Sequence, residues 1–447
     1  KTLVESLAIN SDTTRNPDER WYWIVPMLLD FRFFPKQSRE WWKLEELSSR
    51  WAGAESAEED AGWSRHVQDA KETVERIRYD GLVLGPPPPD LFKVLALIAS
   101  AGPATAALRA LARVTDLAPG ACLRARISAA QAGRAFLTLF NHVEVTEMVR
   151  AEFKADAYWR RVLEYSHAGQ LQAVLDEYSH VLRESLGGSS SSSAEVAEGI
   201  AAELIASVTL RVASLRVDRI DAPKYAREVK VSDESMRIRF AMRFGDERRN
   251  EELGSPIVGS SGTRKERVRG AFNSPFWPFV LVSTSVGQEG LDFHHYCHAI
   301  THWNLPANPV DLEQREGRVH RYKGHAIRKN LASAHGLEAL TRDEGDVWND
   351  LFALPRSSRA TGDNDLVPYW HYPGEAMIER HVPALPFSRE VDRLSLLRKS
   401  LALYRLVLGQ SRQEDLIAYL LTEVPEAERA AIVAELRIDL SPPSRNP

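Results

Sequence analysis

Through roughly the first 190 positions, apolar residues recur three and four apart between Ala, Arg and Glu, which predicts an almost wholly helical region. From Leu91 to Val114 the pattern is strongest, and Gly102-Pro103 divides it into two helices. Before it, Gly85 and Pro86 to Pro89 predict a stiff extended spacer. Glu147 to Leu186 predicts two helices joined near Gly169. Gly187-Gly188 and the serines to Ser193 then form a low-complexity linker, which sets the first boundary.

After the linker, Glu195 to Val208 continues as helix and the period changes. Strand-like runs follow at Met236 to Phe244, Phe279 to Thr284 and Ala299 to Trp303, with helices at Thr263 to Phe272 and Asp311 to Tyr322. Phe279 to Thr284 is nearly continuous in apolar and β-branched residues, the pattern of a strand buried on both faces of a parallel sheet. Thr209 to Val217 is the candidate for an opening strand. This alternation predicts a doubly wound α/β unit at about 195–335. Past a polar stretch, Ser388 to Leu408 predicts a long amphipathic helix stopped by Gly409, with Val391, Leu394, Leu397, Leu401 and Leu408 as its stripe. Two further helices, Arg412 to Leu421 and Glu426 to Leu436, complete a C-terminal region at 336–447.

Composition narrows the class. A hydrophobic fraction of 44% and a charged fraction of 27% fit an ordinary globular protein and exclude wholesale disorder or a collagen-like repeat. No stretch approaches ~18 uncharged apolar residues, so no membrane span is expected. The first residues lack an apolar signal core, and two cysteines, Cys122 and Cys297, make no disulfide framework. A reducing, cytoplasmic setting is therefore expected. The absence of an initiator Met leads to the expectation that the chain is part of a longer one. Net charge is −5, so any anion-binding surface is expected to be local.

The chemistry concentrates between Phe279 and His325. A predicted strand ends in Ser283, Thr284 and Ser285, and a loop with Gly287 and Gly290 follows at its carboxyl end, where open α/β sheets bind ligands. Small hydroxyls and glycines let backbone N–H groups approach a phosphate. Asp292 offers a carboxylate suited to ribose hydroxyls. Further on, Gln314-Arg315-Glu316-Gly317-Arg318-Val319-His320-Arg321 falls on a predicted helix, where Arg318 and Arg321 at i, i+3 would leave one face. Two coaligned guanidinium forks suit the charge that spreads over a transferring γ-phosphoryl group.

These two segments resemble motifs V (Ser283 to Asp292) and VI (Gln314 to Arg321) of superfamily 2 helicases and translocases. The run Leu305-Pro306-Ala307-Asn308-Pro309 through Arg321 is most similar to the Swi/Snf-type group and its bacterial RapA-like branch. Phe240 to Gly245, Arg264 to Arg267 and Ala271-Phe272-Asn273 resemble further elements of that group, so the likeness covers about 235–330. The large helical additions also resemble helicases of anti-phage defence islands such as DISARM. The resemblance implies a second RecA-like lobe flanked by all-α N-terminal and C-terminal regions, with the segment 1–190 lying between the motor lobes. It implies Arg318 and Arg321 as arginine fingers and Gln314 as a nucleotide-side contact. Gly290 and Asp292 would meet the ribose and phosphates, and Ser283 and Thr284 the backbone of a tracked strand. ATP and Mg²⁺ are the implied cofactors, held mainly by a first RecA-like lobe. Double-stranded DNA is the implied partner, with protein partners at the helical regions.

Departures from the family pattern matter equally. No G-x-x-x-x-G-K-[ST] loop occurs in these 447 residues, and Gly254 to Ser261 has the glycine spacing without the Lys. Leu175 to His180 mimics an acidic magnesium-holding motif but lies within a helical pattern. An ATP site is therefore expected to be shared with a first lobe that the chain lacks. Other readings stay open. Arg318 and Arg321 could form an ion-pair network with Glu313 and Glu316, and Ser283 and Thr284 could cap a strand end. His294, His295, Cys297, His298 and His302 have metal-like spacing, and alternation along a strand would divide them between faces. Pro368 to Tyr372 reads as an interdomain packing loop or a base-stacking surface. The arginines of the Ser388 to Leu408 helix read as a solvated face or as a DNA or partner surface. For the whole chain, the rivals are a non-hydrolytic scaffold and an RNA helicase.

Overall fold

The computed structural model describes residues 8, 11–43, 57–115, 117, 122–155, 157–186, 192–209, 213–221, 230–238, 264–283, 292–340, 345–357, 366–383, 387–406 and 422–435. The chain forms two compact units. One holds Lys1–Ala271, Pro275–Phe279 and Glu344–Asp346, and the other holds Phe272–Ser274, Val280–Asp343 and Val347–Pro447.

Up to residue 208 the described secondary structure of the first unit is helix, as its apolar periodicity predicts. Its helices are α1 (Trp21–Phe33), α2 (Pro35–Lys43), α3 (Ala57–Tyr79), α4 (Leu91–Ala101), α5 (Pro103–Thr115), α6 (Leu123–Phe140), α7 (Val143–Glu152), α8 (Tyr158–Ala168), α9 (Leu171–Leu186) and α10 (Ser193–Val208). Helices α5, α6, α9 and α10 pack together. Their contact positions are small: Ala106, Ala107 and Ala110 on α5, Ala129 and Ala132 on α6, and Ala197 and Ala201 on α10 are buried. Small side chains let helix axes approach closely. At Gly133 the approach is closest, since a Cβ there would sit 2.6 Å from the Ala104 Cβ. Phe136, Leu111, Leu175, Tyr178 and Ile200 fill the remaining space.

The proline spacer is pinned down, because the Trp21 indole N–H donates to the Gly85 carbonyl at 2.9 Å. Trp21, Ile24, Val25, Val74, Leu84 and Leu91 form one core around it. Among the described residues no single helix is long and apolar enough to cross a membrane. Helices α4 and α5 pass that test only as a pair, and they are bent by 40° at their junction. The acidic-motif mimic lies on α9, where Asp176 pairs with Arg113 and Tyr178 is buried.

Gly187 to Ser191 of the expected linker lie outside the described residues. The helix beyond them, α10, starts in a capping box between Ser192 and Glu195 and packs on α5 and α6. The contacts thus do not divide the chain at that point.

The expected parallel sheet is the main difference. Strands β1 (Ala213–Asp221) and β2 (Lys230–Ile238) pair antiparallel, from Ala213 opposite Ile238 to Asp221 opposite Lys230. Helix α11 (Arg264–Phe272) follows as predicted. Phe279 to Ser283, however, is not a strand, and Phe279, Val280 and Val282 are 79%, 77% and 82% exposed. A strand needs a neighbour for its ladder hydrogen bonds, and among the described residues this segment has none.

The second unit contains β3 (Ala299–Thr301), α12 (Pro309–Gly317), α13 (His325–Leu340), α14 (Val347–Ser357), β4 (Glu379–His381), α15 (Glu390–Leu406) and α16 (Glu426–Glu435). Strands β3 and β4 run parallel, with Ala299 opposite Glu379 and Thr301 opposite His381. Leu397 of α15 joins Leu305 and Leu312 in one core, with Leu394 packed against it. Val391, at the start of the predicted stripe, is exposed. Arg412 to Leu421 lie outside the described residues.

Candidate nucleotide-binding site

Asn308 opens α12 by accepting the Val310 N–H on its side-chain oxygen at 2.9 Å, with Pro309 in the first turn. The helix ends at Gly317, earlier than the predicted Tyr322, and Arg318 is its cap residue. The two arginines therefore do not share a helical face. They lie on the turn that follows, where the N–H groups of Val319 and His320 both donate to the Glu316 carbonyl at 3.0 Å. Tertiary contacts hold the turn. The Phe293 N–H donates to the Arg318 carbonyl at 2.9 Å, and Arg321 Nη2 lies 3.1 Å from Asp292 Oδ1. Asn273 donates to the Asp292 carbonyl at 2.8 Å, and the Phe272 ring meets the Phe293 ring edge-on at 5.8 Å.

Asp292, Arg318 and Arg321 are thus brought together. Gln314 lies exposed on α12, and Ser283 is exposed at the end of the apolar segment. Among the described residues no hydrogen bond or ion pair joins either of them to that group. Thr284 and Gly290 lie outside the described residues. The side chains of Arg321 and Asp292 are 44% and 49% exposed. An ion pair of that exposure contributes about 0–1 kcal/mol, so it orients the guanidinium yet releases it cheaply to a phosphate. The chemistry fits a nucleotide phosphate in this respect.

Glu316 does not pair as the ion-pair reading supposes. Its carboxylate takes both forks of Arg380, from β4, and His302 Nε2 lies 3.1 Å from its Oε1. Burial would raise this carboxyl, but the His302 and Arg380 hydrogen bonds and the Arg380 charge outweigh it and hold it down at about 2. Downstream, Lys323 has a left-handed φ of 49° and donates its N–H to the Tyr369 carbonyl at 2.7 Å. Its Nζ lies 4.2 Å from the Phe352 ring centroid. Tyr369 stacks on Phe352 at 5.8 Å and on Tyr322 at 5.6 Å, so the aromatic run packs within its own unit.

The histidine cluster has other partners. Among the described residues no group of three His, Cys, Asp or Glu side chains is placed to hold a metal. His302 is committed to Glu316, and Cys297 Sγ lies 3.5 Å from the Ala299 carbonyl. Burial lowers His294 to about 4 despite the Asp292 carboxylate, and burial with the Arg328 charge lowers His325 to about 4. Sequence reasoning missed Arg380 and gave His302 and Glu316 other partners, because their joining depends on β3 and β4 pairing.

Comparison with known proteins bears on the same segment. Residues 255–323 match the model of the helicase conserved C-terminal domain. An uncharacterized ATP-dependent helicase of Bacillus subtilis (strain 168), YqhH, is 38% identical over 61 residues. That similarity spans 13% of this chain and 11% of the relative's length. No solved structure matches. The two matches support a helicase C-terminal lobe in this part of the chain, with the RecA-like fold that such a domain implies.

Proposed function

We propose that this chain supplies the second RecA-like lobe of an ATP-dependent nucleic-acid translocase of the Swi/Snf type, with helical regions on either side. The observation that supports it most is the Asp292–Arg321 pair at 3.1 Å beside the Phe293–Arg318 backbone bond, which joins the two helicase-like segments. Arg318 and Arg321 are the arginine fingers, whose fixed positive forks stabilise charge as it develops on a phosphoryl group. Asp292 holds Arg321 in place and meets the ribose, with Gly290 and Gln314 as further nucleotide contacts. Ser283 and Thr284 face the backbone of the tracked strand.

ATP with Mg²⁺ supplies the phosphoryl group whose cleavage drives movement, and a first lobe bearing the phosphate loop and the magnesium-holding carboxylate binds it. Double-stranded DNA is the partner that this reading favours.

Two experiments test it. Competition among duplex DNA, single strands and structured RNA at one salt concentration should favour the duplex, since backbone contacts alone make affinity strongly salt-dependent. Preference for structured RNA refutes the DNA assignment. The 447 residues by themselves should hydrolyse no ATP, whereas the full-length protein should show nucleic-acid-stimulated hydrolysis. Robust turnover by the 447 residues contradicts a shared site, and none by the full-length protein leaves a scaffold.

A further inference from the structure

Arg318 and Arg321 lie on a turn, so something outside the helix must fix their direction. Glu316 is the residue on which the turn closes. Its carbonyl accepts both the Val319 and the His320 N–H groups, while its carboxylate is gripped by Arg380 and His302. Those two partners come from adjacent strands. His302 follows β3 and its side chain is 1% exposed, and Arg380 is the central residue of β4. The parallel pairing of Ile300 with Arg380 continues in the His302 N–H donating to the His381 carbonyl at 2.8 Å. Arg380 is 64 residues from Glu316 in sequence and beyond the 255–323 segment that matches the helicase domain.

We propose that Arg380 is a positioning residue for Arg318 and Arg321, acting through Glu316, so that β4 belongs to the hydrolytic machinery. The bidentate fork fixes both carboxylate oxygens, and through the Glu316 backbone it fixes the turn. Removing it leaves a half-buried carboxylate facing His302 alone, and the end of α12 loses its restraint. Placement of a transition-state charge partner is sensitive at this scale, since a displacement of about 1 Å can cost about 100-fold in rate.

The role rests on the finger reading above, and the test separates the two. In the full-length protein, nucleic-acid-stimulated ATP hydrolysis is measured for wild type, Arg380→Ala, Arg380→Lys, Arg318→Ala and the Arg318→Ala/Arg380→Ala double variant. Hydrogen exchange is followed at the amides of Val319 and His320. Arg380→Ala should lower kcat about 10- to 100-fold with little change in the KM for ATP, and should speed exchange at those amides. Arg380→Lys keeps the charge without the fork and should be intermediate, which also covers the case where the alanine variant folds poorly. The double variant should lose less than the product of the two single losses, because Arg380 acts in part through Arg318.

Additive losses overturn the proposal, as does an unchanged kcat, or a loss in both Arg380 variants that merely tracks the unfolded fraction in a thermal melt. Faster exchange with no fall in rate overturns this role while leaving the fingers intact. A wild-type rate in Arg318→Ala removes the finger reading itself, and this role with it.

Discussion

Thr115 is buried in the first unit, and its hydroxyl donates one turn back along its own helix, to the Leu111 carbonyl at 2.6 Å. Arg328 and Asn330 are buried in the second unit, and each has bonds to segments 33 or more residues away. Arg328 donates to the carbonyls of Lys323 and of His295, 33 residues away. Asn330 donates to the carbonyls of Tyr372 at 3.1 Å and Ala376 at 3.0 Å, and accepts the Ala376 N–H at 2.9 Å. A hydroxyl satisfied within its own helix asks nothing of the tertiary fold. A guanidinium or amide satisfied from afar is secure only while several segments stay together, and each lost partner leaves a buried polar group. The first unit has remote polar ties of its own, such as Trp21 to Gly85 and Arg113 to Asp176, so the contrast lies between these particular buried groups.

Substitutions can break that contrast, most strongly at Arg328. Arg328→Met leaves the Lys323 and His295 carbonyls without their donor and should destabilise the second unit by about 3 kcal/mol, against under about 1 kcal/mol for Thr115→Val in the first. Thermal unfolding with hydrogen exchange in α13 and α5 reads both. Equal effects at the two sites would erase the distinction. Gly374→Ala comes next, because a Cβ there would lie 2.3 Å from Asn330 Oδ1. The cost should be about 2 kcal/mol, with faster exchange at Ala376, and an unchanged melt shows that the Asn330 tie is slack. Ser192→Ala removes a local device, the capping box of α10, and should cost about 1 kcal/mol with frayed exchange confined to that helix's first turn.

The smallest effect is graded with pH. His294 and His325, lowered from 6.5 to about 4, are more basic in the unfolded chain, which binds more protons between those values. Stability therefore falls as pH drops from 6.5 toward 4. Glu316, lowered from 4.5 to about 2, adds a further loss below 4.5, as its carboxylate gains the proton it resists in the fold. A His294→Asn/His325→Asn variant should flatten the upper part of that slope in melts from pH 4 to 7. An unaltered slope there assigns the loss to other groups.

The same contrast explains what the sequence made legible. Helices α4, α5 and α11 are predicted closely, because apolar spacing and the Gly102-Pro103 break are local signals. Phe279 to Ser283 has the composition of a buried strand, but composition does not supply the neighbouring strand. Leu312 and Val319 are spaced as if one helix ran on to Tyr322. It stops at Gly317, where the Glu316 carbonyl closes the turn. Asp292 and Arg321 form an ion pair, and Arg318 is tied through its carbonyl to Phe293, so tertiary bonds rather than a helical face place these residues. Arg380 was not legible, since nothing within 64 residues of sequence points it at Glu316.

ATP hydrolysis by the full-length protein on duplex DNA, compared with its Arg318→Ala/Arg321→Ala variant, tests the functional account most directly. The account predicts a loss of about 1,000-fold or more with the fold retained. Equal rates in the two proteins would contradict it.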